Sequence, residues 1–197
     1  MPRASKINGF VGKFESSFLS CSKDAEIIFR KLLVDSRPYS DQLKRLLVIN
    51  TPDCLRDQTN QEYINKINSL SFRDMVQKGY FTQIPKMANG ENEEIKSRIL
   101  LTFDNFVPNR TNPHFRDCIV EFDIICHTDC WDIGNYEIRP FAIMGYIDGI
   151  LNNSKLTGIG TLNFLSAKEL VLNEEFSGYC MFYQAVHGSD DLIPGGE

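Results

Sequence analysis

The stretch that most restricts how this chain can fold runs from Asp117 to Asn153. Cys118, Val120, Phe122, Ile124 and Cys126 recur at every second position, and Ile119, Glu121, Asp123 and Ile125 alternate with them. Period two predicts a strand over Asp117–Cys126 with one buried face and one partly wet face. The polar run His127-Thr128-Asp129-Cys130-Trp131-Asp132 ends the alternation. Arg139-Pro140 then opens a helix, because a first-turn proline lacks an N–H that the helix would leave unpaired anyway. Ala142, Ile143, Ile147, Ile150 and Leu151 form its apolar stripe, and Asn152-Asn153 closes it.

The segments before this stretch read as helices. Ser22 or Asp24 caps a helix over Asp24–Val34, whose stripe is Ile27, Ile28, Leu32 and Leu33. Arg37-Pro38 ends it. Ser40 or Asp41 caps a second helix carrying Leu43, Leu46 and Leu47, which stops before Pro52. A third covers Gln61–Leu70. A fourth covers Ser71–Lys78, capped by Ser71 and ended by Gly79.

From Tyr80 the pattern changes to strands. Tyr80–Pro85 is a short one, and Asn89-Gly90 signals a turn. Ile95–Phe106 alternates through Ser97, Ile99, Leu101 and Phe103, and the turn-rich 107–113 loop follows, with Arg110 exposed. After the central strand and helix, Leu156–Leu165 and Ser177–His187 read as two further strands, joined by a segment with Ala167, Leu170 and Leu172. The order is helices, three strands, one helix, two strands. It predicts an α+β fold: a mostly antiparallel sheet backed by helices, with a helical N-terminal extension. The divisions are an N-terminal arm (1–22), a helical segment (23–79), an α+β core (80–187) and a C-terminal tail (188–197). The core list is Val120, Phe122, Ile124, Ile143, Ile147, Ile150, Leu162, Phe164 and Phe182.

Composition narrows the function. With 197 residues, 42% of them hydrophobic, the chain suits one domain with extensions. A net charge of −5 argues against nucleic acid as the primary ligand, since no excess of positive charge is available to neutralise phosphates. No apolar run approaches the ~20 residues that span a bilayer, and no apolar secretory region is read near the N-terminus. The six cysteines are expected as reduced thiols, two of them within apolar strand patterns.

The tempting chemical site is Cys126-His127-Thr128-Asp129-Cys130. A structural zinc site needs about four ligands, usually from two close pairs. The sequence offers no second pair, and Cys118, Cys180 and His187 join only if the fold brings them there. Asp190-Asp191 reads as a solvated charged tail. Gly158-Ile159-Gly160 lacks the remainder of a dinucleotide-binding pattern. The expectation is no catalytic residue, no metal and no cofactor.

The run from Cys126 to Ile133, then Arg139-Pro140 and Gly145-Tyr146-Ile147-Asp148, resembles small virion proteins of tailed bacteriophages. So do Gly158–Phe164, Leu172-Asn173-Glu174-Glu175 and Tyr183–Gly188. The resemblance covers roughly residues 95–191 and is to neck or tail-completion proteins, including the tail-terminator fold, whose helix-backed antiparallel sheet forms a ring. It implies a structural ring subunit, with a hexamer as the count it suggests, joined to other neck and tail-tube proteins. The passing genome would be the only DNA it meets. It also implies synthesis in the bacterial host cytoplasm, a place in the virion and no enzymatic activity. The helical first 80 residues exceed a minimal terminator, so head-closure and collar roles stay open beside it. The rival class is a thiol or metal-dependent enzyme using Cys126, His127, Asp129 or Cys130.

A ring subunit needs arms and loops that reach its neighbours. Phe10, Phe14 and Phe18, spaced by four in the N-terminal arm, are candidate interface residues together with Arg110. Trp131, the only tryptophan, is expected to pack on its own domain, with a subunit interface as the alternative.

Overall fold

The computed structural model describes residues 21–83, 96–110, 116–156 and 158–187. Phe10, Phe14, Phe18, the Asn89-Gly90 turn and the 188–197 tail lie outside them. Helix α1 covers Cys21–Arg30 and continues as a π-helical stretch, Lys31–Asp35. Ser22 and Asp24, expected as caps, lie inside the helix instead, and Asp24 is buried. Helix α2, Tyr39–Val48, has Pro38 at its N-cap and no side-chain cap. Ser40, the expected cap, is buried, and its Oγ accepts the Ser36 N–H at 3.2 Å.

Helix α3, Gln61–Asn68, is capped by Asn60, whose side chain accepts from the Glu62 and Tyr63 N–H groups. Helix α4, Phe72–Lys78, starts in the expected way. Ser71 and Asp74 form a reciprocal capping box, and Gly79 closes the helix at φ 88°.

Five strands form one sheet in the order β1-β2-β3-β7-β6. They are β1 Phe81–Thr82, β2 Ser97–Pro108, β3 Arg116–His127, β6 Asn163–Val171 and β7 Phe176–His187. Only β1 pairs in parallel, with β2; the other three pairings are antiparallel. β2 runs into the expected 107–113 loop and takes Val107 and Pro108 from it. Helix α5 covers Arg139–Leu151. The single strand expected over Leu156–Leu165 is divided: β4 (Lys155–Leu156) and β5 (Gly160–Thr161) make a separate small hairpin before β6. The joining segment around Ala167 and Leu170 is β6 itself. It turns into β7 where Asn173 Oδ1 accepts the Glu175 and Phe176 N–H groups, at 2.9 and 2.7 Å.

The helices cover one face of the sheet, and one hydrophobic cluster runs from Ala25 of α1 to Ala185 of β7. The N-terminal helices and the sheet therefore share a core. Cys118, Val120, Phe122, Ile124 and Cys126 face into it, as their period predicts. Ile143, Ile147, Ile150 and Leu162 join them. Two members of the expected core do not. Phe182 stands opposite Glu121 on the far face, because register places Met181 against Phe122 and Tyr183 against Val120. Phe164 is 42% exposed because β6 is the edge strand of the sheet; its N–H donates to Asn152 Oδ1 at the end of α5, and its ring meets Tyr183 edge-on at 5.6 Å. The Tyr183 hydroxyl donates to Asp148 Oδ1 at 2.9 Å and so ties β7 to α5.

One buried cation joins the layers. Arg139 is fully buried and faces carbonyls rather than a carboxylate. Its Nε donates to Cys130 O at 2.6 Å, and Nη1 donates to Leu46 O and, at 2.7 Å, to Ile49 O. Nη2 reaches Thr51 O at 3.1 Å. The end of α2 leaves carbonyls without helical partners, with the negative end of its dipole, and the guanidinium fork satisfies both. Nearby, Arg45 Nη1 donates to Cys54 O and Asp57 O, at 3.3 and 3.1 Å.

Candidate functional site

The polar run after β3 folds into a bonded loop. Thr128–Cys130 is a short 3-10 turn, and the His127 Nδ1 accepts the Asp129 N–H at 3.2 Å. Asp132 bridges Ile138, Arg139 N donates to Trp131 O at 2.7 Å, and Asp132 Oδ1 accepts the Gly134 N–H at 2.6 Å. Gly134, Asn135 and Tyr136 all have positive φ, at 78°, 54° and 64°. The left-handed region costs a tyrosine energy, and here it holds the ring entirely in solvent.

Tyr136 stands at one side of a groove of about 590 Å³ along the outer face of α5. Tyr39, Phe141 and Tyr146 are its other aromatic walls. Tyr39 and Phe141 are 55% and 52% exposed, and the Tyr39 and Tyr146 rings lie 6.2 Å apart. Ala142, Gly145 and Gly149 make the floor. A Cβ at either glycine would touch nothing within 4 Å, so packing inside the molecule does not demand them. Glycine within a helix is destabilising relative to alanine, by roughly 0.5–1 kcal/mol. Among the described lining residues, Glu137 is the one charged side chain. Burial, and then the Glu137 charge, push the Tyr146 hydroxyl pKa up.

A second constellation lies on the sheet face away from the helices. Glu121, Asp123 and Cys180 bring their ligand atoms within 4.8 Å of one another. It is the only such trio among the described residues. Burial, and then the neighbouring Asp123 charge, raise the Glu121 pKa. Burial and a hydrogen bond with Asp123 push the Cys180 thiol up to about 12. Lys168, with Nζ 4.9 Å from the Phe182 ring centre, pulls the Glu121 and Cys180 values the other way. Two hard carboxylates with one protonated thiol form a mixed and sparse donor set.

The tempting run does not assemble. Cys126 faces the core, where burial drives its thiol to about 12, while His127 leaves β3 on the opposite face and stacks edge-on against Phe176 at 5.1 Å. Cys118 and Cys180 likewise lie on opposite faces. Trp131 packs against its own core, with Nε1 donating to Cys126 O at 3.4 Å. Arg110 is exposed just beyond β2. All six cysteines are free thiols.

The groove was not read from the sequence. Its signal was present as Gly145 and Gly149, which lie off the apolar stripe of α5 with Phe141 and Tyr146 near them. Glu121 and Asp123 were legible as one strand face, but Cys180 joins them only through the β3–β7 register.

These features define a two-layer α+β protein with an aromatic-walled surface groove. No described helix is long and apolar enough to cross a membrane. Residues 40–185 match the YomW family model, and the chain belongs to that family, which is phage-derived. No curated protein and no solved structure matches the chain.

Proposed function

We propose that this chain is a non-enzymatic structural component of a phage particle, a subunit that assembles with copies of itself into a ring at the head–tail junction or the tail end. The observation that carries this reading is membership of a phage-derived family over residues 40–185. The exposed aromatic groove supports it, because a solvent-facing apolar surface of this kind is what an assembling subunit contributes to an interface. In this reading the ring ends or completes the tail, and the genome passes through its lumen. Separation of Cys126 and His127 onto opposite faces of β3 weighs against the rival thiol enzyme.

Mass spectrometry of purified particles is the direct test. The chain should be found in the virion in a fixed ratio to tail proteins, and immunogold labelling should mark the neck or tail end. Absence from mature particles would overturn the reading. So would stoichiometric zinc in the purified protein together with an activity lost in Cys130→Ser.

A further inference from the structure

We propose that the groove on α5 receives the N-terminal arm of a second copy of this chain, with Phe10, Phe14 and Phe18 as the inserted side chains. This rests on the ring reading above and assigns its subunit contact. The arm lies outside the described residues, which start at Cys21. It carries three phenylalanines at a spacing of four, the interval that puts side chains on one side of a helical turn. The groove offers matching chemistry. Tyr39, Tyr136, Phe141 and Tyr146 wall it, and the bare glycine floor lets another chain approach the α5 backbone closely. Aromatic pairs at such contacts add to the burial of their apolar area.

Charge agrees with this choice of occupant. Residues 1–20 hold Arg3, Lys6 and Lys13 against the single acid Glu15, so the arm is positive within a chain of net charge −5. The charged group among the described lining residues is the acid Glu137. Lys13, next to Phe14 in the sequence, is the cation that a docked arm would bring toward it.

Reach argues for a second copy. Helix α1 and its π-helical extension separate Cys21 from Asp35, and the chain enters the groove wall at Tyr39. At 1.5 Å per residue, that helix spans about 20 Å. Phe18 lies three residues before Cys21, and even an extended chain carries it only about 10 Å. The three rings can enter together as one stripe when the arm belongs to a neighbour.

Two variants of the full chain test this. In one, Phe10, Phe14 and Phe18 are all replaced by Ala. In the other, Gly145→Leu fills the floor at a position with open space, so the fold should tolerate it. Circular dichroism should show both variants folded. Sedimentation velocity should find the unmodified chain associated and each variant monomeric. An equimolar mixture should give heterodimers, because the arm of one fits the intact groove of the other. An unmodified chain that stays monomeric at every concentration would overturn the proposal. Variants that associate normally, or a mixture that stays monomeric, would do the same. Presence of the chain in the virion despite such a result would leave the structural reading standing and remove only this contact.

Discussion

Arg139 shows how much one residue can organise. Its guanidinium meets backbone carbonyls from α2, from the segment after it and from the loop behind β3. Replacing Arg139 with Met leaves those carbonyls buried without donors, and each such loss costs about 1–3 kcal/mol. We expect Arg139→Met to destabilise by more than about 4 kcal/mol in urea melts, among the larger effects of single substitutions. Arg139→Lys should recover little of this, since a point charge cannot span the same fork of acceptors. A loss below about 1 kcal/mol for Met would show that the carbonyls find other donors. Gly178 is a second constrained position. A Cβ there would overlap the Ile124 carbonyl oxygen, so the β3–β7 pairing is close enough to require glycine.

At the scale of elements, the β3–β7 register decides which aromatic side chains carry stability. Phe122 is fully buried and meets Tyr183 edge-on at 5.7 Å, while Phe182 lies half-buried on the other face. Phe122→Ala should cost about 3–5 kcal/mol. Phe182→Ala should cost clearly less, and denaturant midpoints of the two variants measure the contrast; equal costs would mean that both faces are core. The α4 cap gives a smaller expectation. Ser71 satisfies the Asp74 N–H, and Asp74 answers by accepting the Ser71 N–H at 2.9 Å. Ser71→Ala should lose about 1 kcal/mol, read as a lowered denaturation midpoint. It should also lift the Asp74 pKa, because the Ser71 hydroxyl is the main cause of its depression.

For the whole molecule, the buried thiols set a limit at high pH. Burial pushes the Cys126 and Cys180 thiols up to about 12 in the folded chain, from an ordinary value of 9.0. Between those values the folded chain keeps protons that the unfolded chain has lost. Stability is therefore complete below pH 9 and falls as pH rises toward 12, by about 1.4 kcal/mol per pH unit for each thiol. Urea melts at pH 8 and 10.5 should show the decline, and Cys126→Ala should make it shallower; an unchanged slope in that variant would remove Cys126 from the account.

The sequence alone determined the parts of the fold governed by local physics. The period of Cys118–Cys126 named the buried face of β3, Ser71 and Gly79 marked the ends of α4, and the order of elements implied an α+β sheet backed by helices. These signals depend on backbone period and on caps within a few residues of one another. Only tertiary structure decided that Met181 and Tyr183 face inward instead of Phe182, that β6 forms an exposed edge of the sheet, and that Arg139 meets carbonyls about ninety residues earlier in the chain. It also decided that Cys180, on a different strand, joins Glu121 and Asp123. The groove on α5 belongs with these. Its glycines were visible in the sequence, but the aromatic walls come from α2, the Tyr136 loop and α5, and only packing brings them together.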